Sequence, residues 1–142
     1  MEVVALVPGG QNIEQLFPGA FVAVIDGKAS QTEEMLYEQL ESAFQLPDYF
    51  GKNLDALYDC LNDLSWVKAN EIVFYIKNYP LLLDDDGTTT RYEFMQLIHE
   101  TAINWNTSAN FDEKAFLIRV EQSAFAATEL VRFGLISEDV TD

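Results

Sequence analysis

Short β-branched and aromatic runs alternate along this chain with stretches of helical periodicity, and that alternation constrains the fold more than any other feature. Residues 3–7 and 21–25 are apolar runs bounded by Pro8-Gly9-Gly10 and by Asp26-Gly27, and both read as strands. Residues 72–76 and 116–120 predict two further strands. Between them, Leu36, Leu40, Ala43 and Phe44 repeat at helical spacing behind Ser30 and Glu33, which form a capping box, so a helix is expected over 32–44. Pro47 should stop that helix, and Gly51 marks the loop that follows. Asn53 suits the N-cap of a second helix reaching Leu64. Residues 92–105 and 123–133 complete the helices, the last ended by Gly134 with an acidic tail behind it, and 84–87 reads as a turn. Strands alternating with helices bury a mainly parallel sheet, so the expected class is α/β. No repeat or linker divides the 142 residues. A single domain over 1–142 is expected, with its core at about 21–121 and extensions at 1–20 and 122–142.

The chain is 49% hydrophobic, enough for a core, but its charge is lopsided: 24 Asp plus Glu against 8 Lys plus Arg, a formal net charge of -16. Nucleic acid and anionic lipid are bound through Lys and Arg, so neither is an expected partner. A surface this negative steers instead toward a strongly basic one. Cys60 is the only cysteine. That excludes an internal disulfide and suits a reducing compartment. The first ten residues carry no basic region, and the run at 3–7 is too short for a signal peptide or a membrane span, so a cytoplasmic location is expected.

On a helical wheel over 53–65, Leu54, Leu57, Leu61 and Leu64 share one face, and Asp55, Asp59, Asn62 and Asp63 lie opposite, with Tyr58 on the border. The polar face carries one sign of charge, without the lysine or arginine at i+4 that would offset the repulsion. Tyr49 and Phe50 directly precede it, and aromatics beside charges that become desolvated are the usual composition of interface hot spots. The pattern predicts a partner-binding surface; an ordinary solvated amphipathic helix is the simpler alternative.

The segment 46–61, Leu-Pro-Asp-Tyr-Phe-Gly-Lys-Asn-Leu-Asp-Ala-Leu-Tyr-Asp-Cys-Leu, closely resembles the inhibitory segment of the barstar family. A weaker likeness of element order extends from the strand at 21–25 to the strand at 116–120. The resemblance implies a barstar-like fold and an inhibitor of a secreted, basic, barnase-like ribonuclease or ribonuclease-like toxin, whose active site the helix and loop would cover. It implies that Asp59 occupies the enzyme's phosphate site. Tyr49, Phe50, Asp55, Tyr58 and Asn62 are the other implied contacts, with Glu100 of the following helix, beside Glu93 and Gln96, as a further one. Asp63 joins them by its place on the acidic face. Where the family has a tryptophan on the helix this chain has Tyr58, Phe50 replaces a second loop tyrosine, and Asn62-Asp63 replaces a Thr-Gly pair. These departures bear on which ribonuclease is the partner.

The remaining constellations do not point to catalysis. Asp55 and Asp59 share an exposed face and lack the apolar pocket that would separate a general acid from its partner. His99 is the only histidine and reads as an ordinary surface residue. Asp84, Asp86, Gly87 and Glu93 match positions three, five, six and twelve of a calcium loop, but position one is Leu82, so a capped turn is expected, with no metal and no cofactor. Cys60 points away from the acidic face and reads as a small buried hydrophobe. Two function classes remain, neither an enzyme: a ribonuclease inhibitor, and an acidic interaction module docking another basic protein.

Overall fold

The computed structural model describes residues 2–107 and 114–138, so the acidic tail at 139–142 lies outside the described residues. Strands β1 (Val4–Val7), β2 (Phe21–Asp26), β3 (Glu71–Lys77) and β4 (Ala115–Glu121) form one wholly parallel sheet in the order β1-β4-β3-β2. Phe74 of β3 sits in register with Ala23 on one side and Ile118 on the other. Parallel neighbours need crossover connections. Helices α2 (Glu33–Phe44) and α3 (Leu54–Leu61) link β2 to β3, and α4 (Thr88–Thr107) links β3 to β4. The short α1 (Ile13–Leu16) lies between β1 and β2, and α5 (Ala124–Arg132) follows β4.

Side chains alternate across the sheet, and both sets are covered. Ala23, Ile25, Ile72, Phe74, Phe116 and Ile118 belong to one apolar body with Leu40 and Phe44 of α2, Leu57 and Leu61 of α3, Phe94 and Ile98 of α4, and Leu130 of α5. Val73 and Tyr75 join a second cluster with Val7 and Ile13, against which Phe17, Ala20 and Val22 pack. On this second side Arg119 is buried, its guanidinium 5.5 Å from the Phe17 ring centre and its Nη1 donating to the Glu2 carbonyl at 3.0 Å. Burial on both faces is why β3 and β4 read as nearly continuous apolar runs instead of alternating ones.

The cap of α2, the end of α3 and the start of α4 differ from expectation, α4 beginning at Thr88 instead of residue 92. Ser30 is fully buried, and its hydroxyl has no hydrogen-bond partner among the described residues. The cap of α2 is Thr32, whose Oγ1 accepts the Met35 N–H at 3.2 Å, while Asp86 Oδ2 accepts the Glu33 N–H at 2.7 Å. The acidic turn at 84–87 thus contributes a second acceptor to the start of α2. That helix ends at Phe44 as expected, where Gln45 turns left-handed with φ 56° and the N–H of Leu46 returns to the Glu41 carbonyl at 3.0 Å. Helix α3 stops at Leu61 and not at Leu64, since Leu64 adopts φ 47° to bury its side chain. One approach tolerates no side chain: a Cβ on Gly27, after β2, would lie 2.1 Å from the Asn78 carbonyl oxygen.

Candidate partner-binding site

Asn53 starts α3 as its sequence suggests: Oδ1 accepts the Ala56 N–H at 2.8 Å, matching one donor that a helix start leaves free. Leu57 and Leu61, both fully buried, pin one side of the helix to the core. Helical spacing then forces Asp55 and Asp59 outward, and both are exposed. Cys60 is buried as expected; burial raises its thiol pKa, and the Asp63 and Asp59 carboxylates push the same way.

The far end of α3 is fixed to α4. Tyr58 Oη accepts from Asn104 Nδ2 at 3.0 Å and donates to Glu100 Oε1 across a long 3.5 Å. Asn62 donates to the Tyr58 carbonyl at 2.8 Å and accepts from Asn104 Nδ2 at 3.1 Å. The Trp105 indole N–H donates to the Leu61 carbonyl at 2.8 Å. The Leu61 carbonyl, left without a helical partner at this end, is thus satisfied by a side chain of α4. Asn62, expected as a contact on the open acidic face, is half-buried and committed to this joint. Asp63 lies in the turn beyond α3, exposed, with Ser65 Oγ donating to it at 3.4 Å.

The preceding loop separates its two aromatics. The Phe50 N–H donates to the Pro47 carbonyl at 3.0 Å, closing a turn with Tyr49 at its tip, 77% exposed. Phe50, expected beside it at the surface, is instead buried edge-on against Tyr37, with ring centres 6.0 Å apart. Its ring anchors the loop, because an apolar ring three residues before the helix cap gains more by joining the core than by facing water.

Asp55 and Tyr58 of α3 and Tyr92, Glu93, Gln96, Leu97 and Glu100 of α4 line a groove of about 640 Å³. Among the described residues Asp55, Asp59, Glu93 and Glu100 form no ion pair; Arg91 is paired with Glu129 in the core. Such a surface can accept charge-assisted hydrogen bonds from guanidinium or ammonium groups, and its fixed backbone lowers the ordering cost of binding. Sequence reasoning placed Asp55, Tyr58, Asp59 and Glu100 on this side of the molecule. It missed Tyr92, Asn104 and Trp105, whose roles depend on how α4 lies across α3 and leave no local pattern. His99 is half-buried and not an ordinary surface residue, and burial lowers its pKa below 6.5. Among the described residues no group of three or more His, Cys, Asp or Glu could hold a metal ion, and no helix is long and apolar enough to cross a membrane.

Fold and site together define a class: a parallel α/β protein presenting an anionic helix and an aromatic loop. The chain belongs to the Barstar (barnase inhibitor) family, whose model matches residues 20–122. It is also similar to a protein of Bacillus subtilis (strain 168) named "Putative ribonuclease inhibitor YrdF", 39% identical over 56 residues. That stretch is 39% of this chain and 58% of the relative, so the match spans less than two thirds of the relative's own length. Strand β1, α1 and α5 lie outside the residues that the family model matches.

Proposed function

We propose that this protein inhibits a basic, barnase-like ribonuclease by covering the enzyme's active site with α3 and the loop before it, Asp59 standing where an RNA phosphate would. The observation that supports this reading most is the single-sign face of Asp55, Asp59 and Glu100 on helices fixed to one another through Tyr58, Asn62, Asn104 and Trp105, in a chain of this family. A ribonuclease must hold a phosphate and stabilise the charge that develops on it, so its site gathers Arg, Lys and His. A carboxylate on a rigid helix accepts the same charge-assisted bonds and offers nothing to cleave. Tyr49 supplies exposed aromatic area; Tyr58 and Glu100 add contacts from the groove between α3 and α4; Phe50 and Asn62 hold the geometry; Asp63 adds to the attracting field. In this reading the protein carries out no chemistry itself and acts in the cytoplasm, restraining an enzyme made for secretion or a ribonuclease-like toxin.

The test is titration against a panel of barnase-type ribonucleases, with RNA cleavage as the readout. Stoichiometric one-to-one inhibition of at least one member is expected. If micromolar protein inhibits none of them, the acidic face serves to dock some other basic protein.

A further inference from the structure

The groove between α3 and α4 continues past the contacts just described. Glu93 precedes Glu100 by seven residues, which places it roughly 10 Å further along α4. The C-terminal segment, outside the matched family region, reaches this end of the groove. The Phe133 ring meets Tyr92 edge-on, centres 5.1 Å apart at 80°, and the Phe133 carbonyl accepts from Gln96 Nε2 at 3.0 Å. Phe133 is itself held as the C-cap of α5, its N–H donating to the Glu129 carbonyl at 2.8 Å. Gly134, at φ 77°, then turns the chain so that Leu135 and Ile136 bury. Helix α5 is tied to α4 by the ion pair of Glu129 with Arg91, the residue just before Tyr92. Tyr92 is therefore braced from behind while its side chain stays 44% exposed in the groove, beside the exposed Glu93 carboxylate, which forms no ion pair among the described residues.

We propose that Tyr92 and Glu93, positioned by the C-terminal segment, form a second contact patch for one arginine or lysine side chain of the partner, and that this patch helps set which ribonuclease is bound. A cation over a phenol ring is attracted by the ring's quadrupole, and a carboxylate alongside adds a charge-assisted hydrogen bond. The groove's own charge makes it complementary to such a side chain: three carboxylates line it and no basic residue does. Lying at the rim, the patch acts on partner choice and leaves the phosphate site to Asp59. The inference rests on the inhibitor reading, and its test separates the two.

In a first arm, arginine amide is titrated into the isotope-labelled full chain and followed by NMR. Saturable shifts at residues 92–96 and 55–58 are expected. They should weaken by about 3- to 30-fold in Glu93→Gln and Tyr92→Ala. Phe133→Ala, checked by thermal melting for a retained fold, should weaken them too. Shifts that Glu93→Gln leaves unchanged, or that are equally large around Glu34 and Glu38 on α2, would overturn the patch. In a second arm, inhibition of the same panel of barnase-type ribonucleases is compared for wild type, Asp59→Ala and Glu93→Gln. Partial loss in Glu93→Gln beside severe loss in Asp59→Ala is expected. If Asp59→Ala loses inhibition while Glu93→Gln matches wild type, the inhibitor reading stands and the patch is refuted. Glu93-dependent arginine shifts from a protein that inhibits no member of the panel would support the cation site and refute the inhibitor reading.

Discussion

Leu57 and Asp59 sit two residues apart on α3 under opposite demands, one fully buried and one exposed. Leu57→Ala should open a core cavity and cost about 2 to 5 kcal/mol of folding stability. Asp59→Ala should change stability by less than about 0.5 kcal/mol, because an exposed helical Asp has little to lose and its repulsion from Asp55 is relieved. Inhibition should nevertheless weaken by about 3 to 5 kcal/mol, more than 100-fold, since the enzyme's cationic pocket is left buried without a partner. Urea melts and inhibition assays on both variants check the pair of outcomes; an Asp59→Ala protein that inhibits like wild type refutes the phosphate-mimic role. Ser30 presents a different balance. Its hydroxyl is fully buried without a partner among the described residues, and desolvating an unmatched polar group is unfavourable. Ser30→Ala should leave the unfolding free energy, read from urea melts, unchanged or raise it by up to about 1 kcal/mol, whereas a true N-cap loss would lower it by a similar amount.

At the level of elements, α5 is attached to the body through a buried polar cluster. Glu129 accepts from Arg91 Nε at 2.5 Å and Nη2 at 2.8 Å, and from Tyr79 Oη at 2.7 Å. Burial alone would raise the Glu129 pKa, but hydrogen bonds from Arg91 and Tyr79, with the Arg91 charge, carry it below 4.5. A carboxylate with a depressed folded-state pKa stabilises the protein fully above its unfolded value of 4.5, and that contribution fades as pH falls through the lower folded value. Glu129→Gln should therefore cost about 3 to 5 kcal/mol near neutral pH by leaving the Arg91 guanidinium without its counter-charge. The gap between wild type and variant should close in acid, a trend that urea melts from pH 7 to pH 3 would read directly. The crossing at Gly27 is purely steric: with Asn78 backbone 2.1 Å from where a Cβ would sit, Gly27→Ala must push two turns apart. A loss of about 1 to 3 kcal/mol is expected in thermal or chemical melts. A neutral result would mean that the two turns are free to separate.

For the whole molecule, charge is the dominant property. A net charge of -16 sets up a field that attracts a basic partner over a Debye length of about 10 Å at 0.1 M salt. Stopped-flow association with a cationic ribonuclease should slow steeply between low and high ionic strength, while dissociation changes far less. A flat salt dependence would show that the acidic excess plays no part in recognition. The core that carries this surface draws on nearly the full described chain: Val4 near one end and Ile136 near the other belong to the same apolar body as Phe74 at its centre.

What the sequence determined by itself rested on a local period or a local partner. The β-branched runs specified the strands, the spacing of Leu57 and Leu61 specified the buried side of α3 and hence its acidic side, and Asn53 marked the helix start through a bond only three residues long. The likeness of 46–61 to the barstar segment added the expectation for Asp59. Tertiary structure decided whatever joins residues far apart in the chain. Asn104 reaches Tyr58 across 46 positions and Arg91 reaches Glu129 across 38, and no periodicity encodes such pairings. Competition with the core settled the remaining misplaced residues. Phe50 took a buried place against Tyr37, Asn62 closed a joint to α4, and Ser30 gave up its capping role to Thr32. A side chain's exposure depends on which elements pack over it, and packing is a property of the assembled fold.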